Sequence, residues 1–324
     1  MKKNLAFFPA LAIAFLALAS CASRPPVTPP RPDIHGFISR VEYGNNVAYI
    51  FGSFHLGRPE WFPLSPIVED AIDRADVFAF EVDMALMSAP EVAAFSNRMM
   101  TLPDGQTLED VLPPDVFENF LRSLEVLPTI TYEMIAHLTP VGATMIIAMV
   151  ELIPLMGIYS AYSVDSYVHA VAAYSGRPVI GLNDIFREID LLFNVPLDVQ
   201  MTIFDSPAEW EEVDWAADCE ALTQYVIDMG LVEAYEAGSI PMLQRAMGSS
   251  ISDEPTLFET HFHNTNFHVR CHIFADEIAR LLRETEEPTT FFVTVGAAHI
   301  IGGDFGKVLS LLGDMGFDVV PLWN

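Results

Sequence analysis

Tyr49-Ile50-Phe51-Gly52-Ser53-Phe54-His55-Leu56-Gly57, near the start of the chain, is echoed by Val293-Thr294-Val295-Gly296-Ala297-Ala298-His299-Ile300-Ile301-Gly302 near its end. Each stretch is an apolar strand-type run, a glycine, two further residues, a histidine and then another glycine. A glycine at the carboxyl end of a strand lets the backbone turn sharply, and a histidine three residues on then stands in the loop above the sheet edge, where open α/β sheets bind ligands. Imidazole is the commonest metal ligand and the commonest general base near neutral pH. One G-x-x-H is a weak signal, because a lone loop histidine is usually just a polar turn residue. Two in matching context point to one shared site, built from His55 and His299 and shaped by Gly52, Gly57, Gly296 and Gly302.

Outward from the first stretch, Ile67 to Ala75 has a helical pattern and Val77-Phe78-Ala79-Phe80-Glu81-Val82 reads as a second buried strand, which makes a βαβ rhythm. Around the second stretch, Thr290 to Val295 is a strand, Val308 to Leu312 starts a helix and Phe317 to Leu322 closes with another strand. Arg177 to Leu182 supplies one more. Long helical patterns fill residues 88–175 and 186–285. The fold class is therefore α/β, a central mixed sheet with two strand–GxxH–helix units and a large helical insert, roughly 88–285. Leu138 to Tyr159 is apolar enough to suggest a membrane span, but Pro140, Glu151, Pro154 and two glycines favour buried or cleft-lining helices.

The 324 residues include 44 acidic against 16 basic, a net charge of −28. Such a field repels phosphate backbones, and Lys307 is the only lysine beyond Lys3, so no nucleic-acid partner is expected. At 51% apolar and 19% charged, the chain is too hydrophobic to be an acidic disordered one. Lys2-Lys3, the apolar run Leu5 to Leu18 and Leu18-Ala19-Ser20-Cys21 resemble a bacterial lipobox. On that reading residues 1–21 are a signal peptide and Cys21 carries the lipid. Ala22-Ser23 favours the outer membrane, and residues 22–35, with the RPPVTPPRP run, form a tether before a domain at 36–324. The alternatives are an ordinary signal peptide or an uncleaved anchor. Removing residues 1–21 takes away two basic residues and no acidic ones, which moves the net charge from −28 to −30. Cys219 and Cys271 remain, as a disulfide or as two buried thiols.

Glu81 ends its strand beside the histidine loops. It could simply cap a helix or pair with an arginine. With two histidines it also makes the mixed N/O set that suits a divalent ion of the Zn, Mn or Co type. A rival cluster is His261, His263, His268 and His272 with Cys271. His268 and His272, four apart, would share a helix face, but no H-E-x-x-H accompanies them. Nucleophile-elbow, phosphate-loop and dinucleotide motifs are missing from the sequence.

The blocks Tyr49–Asp83 and VGAAHIIGGDFG, with Leu231 to Met247 including Glu236-Ala237-Gly238 between them, resemble the TraB/GumN (also PrgY) family, which is related to the Tiki metalloproteases. The resemblance spans nearly all of the chain after the tether. It implies a site of two histidines and an acidic residue, with metal-dependent peptidase activity in the Tiki branch. Residue by residue, His55 and His299 match the motif histidines, Glu81 the strand-end acid and Arg270 the arginine preceding the last motif. Asp165 falls where the family tends to have an aspartate, and Asp304 reads as a loop residue that orients the site. Two departures stand out: Cys271 where Arg-Asn is common, and Asn183-Asp184 where Gly-Leu-Glu is common.

These readings combine into an envelope lipoprotein on the periplasmic face, held to the membrane by its lipid anchor. Its expected activity is that of a metal-dependent, peptidase-like hydrolase of a peptide or small-molecule substrate, with His55, His299, Glu81 and Arg270 as catalytic residues and the first three as metal ligands. The alternative is a non-catalytic regulatory lipoprotein that binds a peptide or small ligand in the same cleft.

Overall fold

The computed structural model describes residues 37–322 apart from 126, 128, 153–157, 205–229, 249–254 and 304–305. Cys21, the tether, Cys219, Asp304 and the acidic run at 209–214 lie outside the described residues.

A six-stranded mixed sheet forms the centre. Its strands are β1 (Phe37–Tyr43), β2 (Asn46–Ser53), β3 (Val77–Val82), β4 (Val179–Asn183), β5 (Thr290–Gly296) and β6 (Asp318–Pro321), in the order β4-β3-β5-β2-β1-β6. β2, β3, β4 and β5 run parallel, and β1 is antiparallel to both β2 and β6. β1 and β2 form a hairpin that turns at Gly44, whose φ of 60° is open to glycine.

The inner parallel strands β2, β3 and β5 are buried on both faces, which explains their mainly apolar runs, while the edge strand β4 is half-buried over its first three residues. Phe292 of β5 packs on Phe51 and Phe78 of its two neighbours, with ring centroids 5.8 and 6.0 Å apart. Helix α1 (Pro66–Arg74) carries the chain from β2 to β3 and buries Val68, Ala71 and Ile72. It leaves a gap in the sheet that β5, arriving more than two hundred residues later, fills. The two echoed strands are therefore adjacent, with Gly52 opposite Val295 and Ser53 opposite Gly296.

Within the insert, α2 (Pro140–Ile147) is buried almost throughout and runs on into a π-helical turn, Ala148–Leu152. Buried Glu151 accepts the backbone N–H groups of Thr129 and Ile130, both at 2.8 Å, so this charge serves a loop. Among the described residues no helix is long and apolar enough to cross a membrane. The insert's other contributions near the sheet are α3 (Val164–Ser175), α4 (Ile185–Phe193), α5 (Leu231–Glu236) and α6 (Arg270–Glu284), and α7 (Val308–Asp314) precedes β6.

Candidate functional site

The carboxyl ends of β2, β5 and β3 bring His55, His299 and Glu81 together. His55 Nε2 lies 3.9 Å and His299 Nε2 3.7 Å from the same oxygen, Glu81 Oε1. That oxygen also accepts the Gly296 N–H at 2.7 Å. The two glycines that open the motifs owe their identity to close approach, and the sharp turn expected of them is absent. Gly296 has a φ of −52°, yet a Cβ there would sit 3.1 Å from His55 Nε2 and 3.3 Å from Glu81 Oε1. A Cβ on Gly52 would meet Ile300 of the other motif at 2.6 Å. Gly302 does take a left-handed φ, at 73°.

Behind each histidine stands a different partner. His55 Nδ1 is 2.9 Å from Asp165 Oδ2, and Ser53 Oγ donates to the other oxygen at 2.7 Å. Asp165 stands in the first turn of α3, which is tied to the motif loop by the Val164 N–H donating to the Phe54 carbonyl at 3.1 Å. On the far side, His299 Nδ1 lies 3.3 Å from Cys271 Sγ. Cys271 is a free, buried thiol, and burial pushes its pKa up to about 11, so it stays protonated.

Arg270, 2% exposed, spans the base of the site. It donates to Glu81 Oε2 at 2.6 Å and to Asn266 Oδ1 at 2.7 Å, and it pairs with Glu188 on α4. Glu188 also accepts Asn183 Nδ2 at 2.8 Å. Position 183, where the family resemblance implies a glutamate, thus holds a carboxylate by hydrogen bond rather than carrying one. Asp184 takes no part: it is exposed and caps α4 by accepting from Phe186 and Arg187.

The electrostatics follow from this geometry. Burial alone would depress His55, but the charge and hydrogen bond of Asp165, with Glu81 behind, carry it up to about 9. Burial would raise Glu81; Arg270, both histidines and the Gly296 N–H bring it down to about 2. His299 is driven down to about 3 by burial and by Arg270, so its imidazole is neutral. Glu188 shares Arg270 with Glu81 but lacks the histidines and the N–H, and burial wins there: its pKa is raised.

The insert also fastens the first motif loop. Tyr235 on α5 donates to the Gly52 carbonyl at 3.1 Å and packs on Phe54 and Trp61. Glu236 accepts Trp61 Nε1 at 2.8 Å and Arg58 at 3.2 Å. The rival histidines stay apart from this centre's chemistry. His268 and His272 are exposed with ring centroids 4.8 Å apart, while His261 and His263 are half-buried.

Among the described residues no group of three His, Cys, Asp or Glu side chains is already drawn to metal-holding distances. Ligands about 2.1 Å from one tetrahedral ion sit about 3.4 Å apart, so the 3.7 and 3.9 Å spacings exceed that need by only a few tenths of an ångström. A carboxylate on the rear nitrogen of His55 is the usual support of a metal-bound imidazole. By residue type, two imidazoles and a carboxylate are the mixed N/O set that divalent ions take.

An α/β sheet with paired G-x-x-H loops on adjacent parallel strands, backed by a strand-end glutamate, defines the class. A profile of the TraB/PrgY/gumN family matches residues 37–321, and the chain belongs to that family. No curated protein and no solved structure matches it.

Proposed function

We propose that the chain is an exported, lipid-anchored hydrolase that depends on a divalent ion and acts on peptides. The observation that carries this reading is the convergence of two imidazole Nε2 atoms on one carboxylate oxygen, Glu81 Oε1. His55, His299 and Glu81 would hold the ion. Such an ion supplies Lewis acidity, acidifying water and polarising an amide carbonyl. Asp165 fixes the His55 ring by accepting the hydrogen bond of Nδ1–H. Arg270 holds Glu81 ionised and oriented, so it acts through Glu81 as a positioning residue. With a pKa of about 2, Glu81 suits a ligand rather than a base matched to neutral pH. The pattern ending at Cys21 supports anchoring at the periplasmic face of the outer membrane.

One observation favours ligand binding without turnover: both oxygens of Glu81 already have protein partners, Gly296 and Arg270. Metal analysis of untagged protein, with peptide cleavage followed by mass spectrometry, separates the readings. The proposal expects a stoichiometric divalent ion that His55→Ala with His299→Ala abolishes, together with metal-dependent cleavage. Metal retained by the double variant would overturn the two-histidine centre. Metal bound without cleavage of any peptide would favour the binding role.

A further inference from the structure

We infer that Cys271 is a positioning residue of the two-histidine centre: its sulfur accepts the Nδ1–H of His299 and so leaves the Nε2 lone pair facing Glu81 and His55. A neutral imidazole has one donor nitrogen and one acceptor, and whatever faces one nitrogen decides the other. Cys271 Sγ, 3.3 Å from Nδ1, is the only polar side-chain atom at that nitrogen among the described residues. Its own S–H has other acceptors, the carbonyls of Asn266 at 3.9 Å and His299 at 4.0 Å. With S–H turned to either, the sulfur can accept from Nδ1–H beside the backbone N–H groups of Lys307 and Val308 that it also meets.

On the opposite side of the ring Nε2 faces Glu81 Oε1 at 3.7 Å, outside hydrogen-bond range, so the contact behind the ring is the one that can fix the tautomer. The ring cannot swing away to find another partner. Phe274 meets it edge-on at 5.1 Å and Phe267 lies 6.0 Å off. A Cβ on Gly306 would fall 2.1 Å from His299 Cα, so the returning loop rests directly on this backbone.

The consequence for metal affinity rests on the proposed divalent centre; the tautomer does not. Long-range proton–nitrogen NMR of histidine-labelled, metal-free protein reads the tautomer, with His299 assigned by His299→Gln, and zinc titration reads affinity. Wild type should show His299 as the Nδ1–H form. Cys271→Ala should shift it toward Nε2–H and weaken zinc about 10- to 100-fold, the usual effect of removing a partner behind a ligand. Cys271→Ser, whose hydroxyl can also donate to a carbonyl while accepting from Nδ1, should restore both and guards against a misfolded alanine variant. An Nε2–H form in wild type, or a tautomer indifferent to Cys271→Ala in folded protein, overturns the inference. A tautomer that responds in a protein that binds no zinc upholds it and removes the metal reading instead.

Discussion

Replacing His55 by asparagine should remove one limb of the pH–stability profile of the metal-free protein and leave the other standing. The amide reproduces the Nδ1 position and keeps a donor toward Asp165, but it does not titrate. In the native fold His55 is faced by Asp165 and Glu81, which raise it, and by Arg270, which lowers it, with the balance at about 9 against 6.5 when free. A raised pKa contributes stability that is fully present below 6.5 and is lost as pH rises through 9. Each unit is about 1.4 kcal/mol, and with half the unfolded histidines already charged at pH 6.5 and folded His55 still partly charged at 8.5, the wild type should lose about 2 kcal/mol from this one group over that range. His299 works in the other direction. Its folded value of about 3 means that below 6.5 the unfolded chain takes up a proton the folded chain refuses. Stability therefore falls by about 2 kcal/mol between pH 6.5 and about 5. Glu81, depressed to about 2 from 4.5, adds to the acid limb only below 4.5. Urea denaturation with EDTA at these three pH values measures both limbs. His55→Asn should flatten the alkaline side alone, and His299→Asn the acid side alone. A His55→Asn protein that still loses about 2 kcal/mol toward pH 8.5 would refute the assignment of that charge to His55.

Zinc affinity should rise about tenfold per pH unit between pH 6.5 and about 8.5, because binding through Nε2 displaces the His55 proton; calorimetry in two buffers of different ionisation enthalpy counts it. Gly296→Ala should cost about 1–3 kcal/mol by overpacking and weaken zinc binding, since its Cβ would press on His55 and Glu81; thermal melts and the same titration check both. Gly306→Ala should lose more than about 4 kcal/mol or fail to fold, because the Cβ would meet the backbone of His299 and Ala298 at 2.1 and 2.4 Å. Gly313→Ala, in α7 with nothing within 4 Å, is its matched control and should be neutral or gain up to about 1 kcal/mol. Glu188→Ala breaks a buried pair and should cost about 3–5 kcal/mol, read as a shift in the urea midpoint.

What was legible in the chain was whatever local pattern carries. The inner strands of the parallel sheet were visible because burial on both faces demands mainly apolar runs, and the two histidines because a motif repeated. β1 is legible as well, since Phe37 to Tyr43, Gly44-Asn45 and the next apolar run have the make-up of a hairpin, although its own alternation is weaker than the runs of the inner strands. Asp165 was marked only by resemblance, and Glu188 not at all. Asp165 becomes part of the site through its contact with His55, 110 positions away in the chain, and Glu188 through its pairing with Arg270, itself held to Glu81 across 189. No spacing rule reaches that far. Asn183 shows the limit best, since as a residue type it reads as a lost carboxylate and as a hydrogen-bond donor it secures one from the next helix.

The charge count of the buried centre ties these pieces together. Among the described residues the centre buries three carboxylate groups, on Glu81, Asp165 and Glu188, and one permanent cation, Arg270, which pairs with Glu81 and Glu188 while Asp165 pairs with His55. Two negative charges are left over, and an interior of low dielectric does not tolerate them unmatched. Without metal, protons are the only supply: His55 is held in its charged form, and Glu188 is pushed toward its neutral one. A divalent ion carries the same two charges. Loading would then exchange protons for metal at nearly constant net charge, leaving Arg270 and the fold around it undisturbed. The neutrality of His299, which contributes no charge in either state, fits this exchange.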